Sequence, residues 1–366
     1  MMSATRRPSV GVTLGVLVAA LAALAPLVLS AANLTVYVLA GLAVIVTTGV
    51  SLLMGYAGQV SLGQAAFYAI GAYTAGLMAT HGLPPLLGLA CAPLLAGAIA
   101  AMVGIPILRL RGHYLAFATL AFQLILLAIV GQVTAFGGDI GLQAIPQLGV
   151  GSAELSTSRA YAWVTLAIVV LVVLLTNNLI ASRPGRGMRA LATSETAAES
   201  SGVPVARYRV AVFSLAAALA GLAGGVYAFF LGYVAPGSFP VLLSLQFVVM
   251  AVVGGLGTVW GAVVGSVVIT VLVQALNNLG TRPGMPAYAA SVFSYAVYAI
   301  LLIVVLLFLP RGLVPAVTEL TRRLVGKVRP STRRSSSRVT PTAATSADRP
   351  LTAASNTGTP SAVTKE

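Results

Sequence analysis

Ser182-Arg-Pro-Gly-Arg-Gly-Met-Arg-Ala-Leu-Ala-Thr193, continued by Ser194-Glu-Thr-Ala-Ala-Glu-Ser-Ser-Gly-Val-Pro-Val-Ala-Arg-Tyr-Arg209, is an island of charge in a chain that is otherwise almost uncharged. It carries Arg183, Arg186, Arg189, Glu195, Glu199, Arg207 and Arg209, and apolar runs too long and continuous for a soluble core flank it on both sides. Lipid cannot hydrogen-bond a backbone, and a charge held at mid-bilayer costs about 2.5 kcal/mol or more. The island therefore has to lie in water at one membrane face, and what it touches there is expected to be a soluble partner.

Composition agrees with that reading. Of 366 residues 58% are hydrophobic and 8% charged, with a mean hydropathy of +0.98, whereas soluble domains carry roughly a quarter charged residues. A polytopic membrane protein is predicted. The net charge of +14 does not point to nucleic acid, because no basic face is interleaved with aromatics. The Lys and Arg residues instead sit in short inter-span loops and at both ends, where they set topology and meet anionic head groups of membrane lipid. The single cysteine, Cys91, lies in an apolar run, so no Cys pair is available for a disulfide or a zinc cluster.

Working outward from the loop, apolar segments of spanning length run near 11–30, 33–53, 62–80, 86–107, 114–135, 161–181, 209–231, 241–256, 258–278 and 288–309. At roughly 20 apolar residues per span these predict an all-α fold of about ten transmembrane helices. The run from Val10 to Leu29 is longer than the apolar core of a cleaved signal, so it is read as a retained first span. With the amino terminus in the cytoplasm, Arg6, Arg7, Arg109, Arg111, the five arginines of the loop and the basic carboxy-terminal tail all fall on one side, leaving only Arg159 and Arg282 opposite. The positive-inside asymmetry thus predicts both termini and the 182–209 loop to be cytoplasmic. The domain division that follows is a transmembrane domain over 1–315 and a tail over 316–366. The tail is Ser/Thr/Ala/Pro-rich and basic, and it buries too little surface to offset the entropy of ordering, so it is predicted to be disordered.

Two Gly-punctuated stretches, Gly55-Tyr-Ala-Gly-Gln-Val-Ser-Leu-Gly63 and Gly254-Gly-Leu-Gly-Thr-Val-Trp-Gly261, interrupt the spans in comparable places, and each is followed some fifty residues later by an arginine, Arg111 or Arg311. An internal repeat with Gly-interrupted helices lining a path is one reading, and turns or tight packing the other. On the first reading the path residues are Gly58, Gln59, Ser61, Gln64, Gly255, Gly257 and Thr258. Small residues also recur every four positions at Ala217, Gly221 and Gly225, and at Gly257, Gly261 and Gly265, the spacing of close helix packing.

Catalytic patterns do not appear. No paired carboxylates, Ser/His/Asp set, P-loop or dinucleotide fingerprint is present, and no group of metal ligands, so no enzymatic activity, cofactor or metal is expected. All seven acidic residues, Asp139, Glu154, Glu195, Glu199, Glu319, Asp348 and Glu366, fall in loops or the tail. Ion-coupled carriers keep an ionisable group within the membrane. Without one, the energy for uphill transport has to come from another protein. Within the island, Thr193 or Ser194 is positioned to cap a short helix, Glu195 to favour its first turn, and Gly202 with Pro204 to stop it. A connector needs only a few residues, so a helix of this kind is read as a docking element.

Those residues carry a resemblance. Glu195-Thr-Ala-Ala-Glu-Ser-Ser-Gly202 resembles the EAA-type coupling helix of ABC importer permeases. Gly55-Tyr-Ala-Gly-Gln-Val-Ser-Leu-Gly-Gln-Ala-Ala-Phe-Tyr-Ala-Ile-Gly-Ala-Tyr73, Leu110-Arg-Gly-His-Tyr-Leu-Ala116, Ser182-Arg-Pro-Gly-Arg186, Val253-Gly-Gly-Leu-Gly-Thr-Val-Trp-Gly261 and Pro310-Arg-Gly-Leu313 resemble the M-type permease subunit of branched-chain amino acid (Liv-type) importers over about residues 33–314. The chain departs from the family at Gln64, where His is common, and at His113, where an acid often follows Arg-Gly. The resemblance implies a multi-pass subunit of the bacterial inner membrane, paired with a second, H-type permease, two cytoplasmic ATPase subunits that bind the ATP, and an extracytoplasmic substrate-binding protein. It also implies that Glu195, Ala197, Ala198, Glu199 and Gly202 couple to the ATPase, and that the cargo is leucine, isoleucine or valine. The alternative reading is a secondary carrier or facilitative channel for small amides such as urea.

Overall fold

Helices start and stop where the sequence supplies the local chemistry. In the computed structural model, which describes residues 24–110, 112–150, 153–155, 157–280, 296, 299–300 and 312–315, α1 (Ala31–Ala57) begins after Ser30 and ends at Gly58. The chain continues through α2 (Gln64–Thr80), α3 (Pro85–Ile107) and α4 (His113–Gln132). Prolines at the start of α3 suit a first turn whose N–H groups have no partner in the helix. Two short 3-10 turns and a hairpin pairing Gly149–Val150 (β1) with Ala153–Glu154 (β2) lead to α5 (Ser158–Ala181). The loop helices α6 (Arg183–Thr193) and α7 (Glu195–Ser200) follow, then α8 (Val205–Leu231), α9 (Val241–Gly254) and α10 (Val259–Gly280).

Seven helical stretches among the described residues are long and apolar enough to cross a membrane. The chain is thus an all-α polytopic protein, and the run predicted at 62–80 is the 17-residue α2, whose residues are largely buried. The runs at 11–30 and 288–309 lie mostly outside the described residues, as do Arg111, Arg282, Arg311 and the 316–366 tail.

At the centre, α8 packs against α1, α2 and α3. The stripe Ala217, Gly221 and Gly225 meets a matching stripe on α3, Gly88, Ala92, Ala96, Ala100 and Gly104, all buried. A side chain on Gly71 of α2 would run into the backbone of Gly221, and one on Gly224 into the carbonyl of Tyr68. These two helices therefore touch backbone to backbone, the approach that small residues permit in a membrane, where apolar side chains gain little by leaving lipid for protein. The second stripe does not hold as a helix face. Gly257 lies in the break before α10, so only Gly261 and Gly265 belong to a helix. The outer helices keep their apolar side chains on the surface, Leu124, Ile125 and Ile129 on α4 and Leu171, Leu174 and Leu175 on α5, as a lipid-facing layer does.

At the end of the bundle away from the charged loop, Leu142 and Val234 exchange backbone hydrogen bonds of 2.8 and 3.0 Å. Nearby, the Tyr161 hydroxyl donates to the Phe229 carbonyl at 2.9 Å and accepts from the Leu148 N–H at 3.0 Å. The linker after α4 is thereby tied to α5 and α8.

Gly71→Val should force α2 and α8 apart at an overpacked contact costing of order 1–3 kcal/mol. Gly237→Ala, whose added methyl meets nothing within 4 Å, should be neutral. Thermal unfolding of the two purified variants in the same detergent checks both.

Candidate transport and coupling site

The water-facing loop is more structured than a single capped helix. Ser182 accepts from the Gly185 N–H through its hydroxyl at 3.4 Å and starts α6, within whose first turn Pro184 is tolerated. Pro184, Gly185 and Gly187 argue against a helix by propensity, which is why the 183–193 segment was not predicted as one. Tertiary contacts override them: Met188 is buried, and the Tyr208 ring lies where a Gly187 side chain would go. Ser194 then caps α7 by accepting from the Ala197 N–H at 3.3 Å. The chain leaves α7 through Gly202 at φ 78°, where a side chain would meet nothing within 4 Å, so only backbone strain selects glycine.

The coupling residues read from the sequence divide between two faces. Ala198 is buried with Leu191 and Val205 in a small core of the loop itself. Glu195 is half-buried and ion-paired with Arg209 at 2.9 Å, which ties α7 to the root of α8. Ala197, Glu199 and Gly202 are exposed, together with Thr196 and Ser200. The loop thus presents a water-facing ridge on a base fixed to the bundle.

The helix breaks sit inside the bundle, and their limits differ from the Gly-punctuated stretches. α1 runs on through Gly55 to Ala57, leaving 58–63 non-helical; α9 includes Gly254 and α10 includes Gly261, leaving 255–258 between them. The end of α1 meets the second break directly. Tyr56 donates through its hydroxyl to the Gly257 carbonyl at 3.0 Å, and the Gly257 N–H donates to the Ser51 hydroxyl at 3.1 Å. Thr258 closes the break by donating to the Gly255 carbonyl at 2.8 Å and accepting from the Gly261 N–H at 3.2 Å.

The far end of the first break is held elsewhere. The Leu62 N–H donates to the Thr119 hydroxyl at 3.0 Å, and the Ala65 N–H, in the first turn of α2, donates to the Ser244 hydroxyl at 2.8 Å. Ser244 in turn donates to Gln123 Oε1 at 2.7 Å, and Gln123 Nε2 donates to the Phe239 carbonyl at 3.2 Å. Ser244 and Gly255 lie near opposite ends of α9, about 16 Å apart at the rise of an α-helix. The expected path residues therefore form two groups, with Gly255, Gly257 and Thr258 at one end and Ser61 and Gln64 toward the other.

Gln64 is fully buried, and neither end of its amide finds a hydrogen-bond partner among the described residues; the Gln59 carbonyl oxygen is in the same position. An amide buried without partners costs on the order of 1–3 kcal/mol, so such groups mark places where a protein keeps polarity for a purpose. One turn further along α2, the Tyr68 ring is tilted against Tyr227 at 5.4 Å and edge-on to Phe239 at 5.6 Å. Thr119, Gln123, Ser244, Ser51 and Tyr56 were not singled out by sequence. Gln123 had a signal, as an amide in the middle of an apolar run. The serines and threonines had none, because such residues commonly satisfy themselves on their own helix.

These features define a membrane transport component: an all-α bundle with buried polar helix breaks and a structured loop outside the bilayer. A family model described as "Branched-chain amino acid transport system / permease component" matches residues 32–306, and the chain belongs to that family. It is 28% identical over 315 residues to the high-affinity branched-chain amino acid transport system permease protein LivM of Escherichia coli K12, covering 79% of this chain and 72% of that relative. The probable branched-chain amino acid transport permease protein LivM of Methanocaldococcus jannaschii is 25% identical, over 75% of this chain and 91% of its own length. LivH, a high-affinity branched-chain amino acid transport system permease protein of Salmonella typhimurium, matches at 30% over 162 residues, 44% of this chain and 49% of its own. No solved structure matches the chain.

Ser244→Ala and Gln123→Leu should each destabilise the protein by about 1–3 kcal/mol, because each leaves buried partners unpaired. The double variant should cost less than the sum, since the two side chains share one bond. Melting of the three variants against wild type measures the coupling, and strict additivity would show that the pair does not act as a unit.

Proposed function

We propose that this chain is a permease subunit of an ATP-driven importer of branched-chain amino acids, taking leucine, isoleucine and valine as cargo. The observation that carries the reading is the capped, exposed ridge of α7 on a base pinned by the Glu195–Arg209 ion pair, in a chain of this permease family. On this reading Glu195, Ala197, Ala198, Glu199 and Gly202 serve the coupling to an ATPase by different means. Ala197, Glu199 and Gly202 form the contact surface, and Glu195 and Ala198 hold it in shape. Gln59, Ser61 and Gln64, with Gly58 before them and Gly255, Gly257 and Thr258 at the other break, line the translocation route, to which Gln64 contributes an amide unpaired among the described residues. The route is shared with a second permease subunit, two cytoplasmic ATPase subunits bind the ATP, and a binding protein delivers cargo from outside. The chain itself carries no cofactor and no catalytic role.

The same reading places the protein in a bacterial inner membrane with both termini cytoplasmic. It keeps about ten spans arranged as an internal repeat over 1–315, and a disordered basic tail over 316–366. Arginine asymmetry supports the orientation. After Cys91→Ala, a cysteine introduced by Ser200→Cys should stay unlabelled by an impermeant thiol reagent applied to intact cells and react in inverted vesicles. Labelling from outside would reverse the orientation.

Glu199→Lys alters the ridge without touching the loop core, and Gly202→Val strains the left-handed turn by about 1–2 kcal/mol. Both should lower co-purification of the ATPase and labelled leucine uptake, normalised to inserted protein, by about tenfold, the scale of ~1.4 kcal/mol of docking energy. Wild-type values for both variants would reduce α7 to a connector. Uphill uptake by the purified chain alone under a proton gradient would identify a secondary carrier instead.

A further inference from the structure

The charged loop and the bundle enclose a second feature, separate from the helix breaks and bordered by Glu195 and Glu199 of the proposed coupling helix. A crevice of about 920 Å³ opens between the end of α3, α7 and the start of α8. Its volume falls within the range of about 300–1,000 Å³ that holds a ligand of moderate size. One wall is apolar and made by Ala101, Ile105 and Ala211; Ile105 is more than half exposed, on a helix whose neighbouring Met102 faces outward still more fully. The other wall is charged, with Arg109, Arg207 and Arg209 beside Glu195 and Glu199 and the cationic groups in excess. An aliphatic surface running directly into a cluster of guanidinium groups at the end of a membrane span has the polarity profile of the bilayer's own boundary.

We propose that this crevice is a binding site for a singly charged anionic phospholipid. Its phosphate is held by Arg109 and Arg207, and the start of an acyl chain lies along Ile105 and Ala211. Charge selects this occupant. Glu195 is occupied by Arg209, leaving Arg109, Arg207 and Glu199 without an ion pair among the described residues. These sum to one positive charge, which a headgroup with one net negative charge neutralises and a zwitterionic one does not. Guanidinium groups suit the task, because their fork of donors matches phosphate geometry. Polar capacity is also left over on the inner side. Behind the crevice wall, Arg209 Nε and Ser214 Oγ are buried without a hydrogen-bond partner among the described residues, so a headgroup bonds them only where these two side chains turn outward. Because Arg209 is also the anchor of α7, a lipid seated here braces the base of the loop.

The test uses the full chain purified in detergent and offered equal amounts of phosphatidylglycerol and phosphatidylcholine, with retained lipid read by native mass spectrometry and thermal unfolding followed with each lipid. Wild type should retain phosphatidylglycerol preferentially and melt higher in its presence. The double variant Arg109→Gln/Arg207→Gln should lose retention by about tenfold or more, as expected on removing charge-assisted hydrogen bonds. Ala211→Trp, which leaves every charge in place and fills the apolar wall, should lose it too. Arg186→Gln, an exposed loop arginine outside the crevice, should behave as wild type. Equal retention of the two lipids by wild type, or equal retention of phosphatidylglycerol by all variants, overturns the proposal. If lipid retention is unchanged while the double variant loses the ATPase, the crevice belongs to a protein contact and the lipid assignment fails.

Discussion

The backbone contact between α2 and α8 is the constraint on which the rest of the structure depends. Gly71 and Gly221 leave no room for a side chain between them, and Gly224 lies equally close to the Tyr68 carbonyl. In water such a contact would be driven by burial of apolar surface. In lipid that gain largely vanishes, and what holds the helices is dispersion between surfaces that fit, with weak polar contacts of closely approaching backbones. The alanine stripe on α3 completes the arrangement, so α2, α3 and α8 form a rigid centre around which α1 and α9 pack. Every polar feature of interest is placed by this centre, because the breaks before α2 and after α9 both lean on helices that it fixes.

The breaks themselves follow from the rule that backbone groups in a membrane interior must find partners within the protein. At 58–63 and 255–258 the helical ladder stops, and its unpaired groups are taken up by Ser51, Tyr56, Thr119, Ser244 and Thr258. Apart from the local bond of Thr258, these bonds join segments that are far apart in sequence. They place polar groups at both ends of α9 without a charge among them. Gln64 differs from these groups in that both ends of its buried amide lack a hydrogen-bond partner among the described residues.

Outside the bilayer a different economy applies. The α6–α7 pair is too short to be stable by itself, since isolated helices below about 12–15 residues are marginal in water. It holds because Leu191, Ala198 and Val205 form a small core, Met188 anchors α6, and the Glu195–Arg209 pair closes the base. Half-buried pairs near a protein surface, like exposed ones, contribute little to overall stability. The significance of this one is geometric, since it fixes the direction in which the α7 ridge faces water.

The membrane class, the spans flanking the charged island, the Ser194 cap and the Gly202 stop were all legible in the sequence, because each depends on a property local in the chain: apolar length, a capping hydroxyl, a residue free to take positive φ. The glycine stretches were legible as breaks, though not their limits, since a glycine such as Gly55 or Gly254 continues a helix when neighbouring helices hold it there. The division of the α7 residues into an exposed ridge and an inward Ala198 was not legible, nor were the helix over 183–193, the Gln123–Ser244 pair and the facing stripe on α3. Each of these depends on which surface another helix brings within reach, and that is settled by packing between segments more than a hundred residues apart as readily as between neighbours. Composition and spacing determined that this protein lives in a membrane and carries a charged loop that has to lie in water; only the tertiary structure decided which side chains stay on the outside of the bundle, which form the exposed ridge of the loop and which face one another.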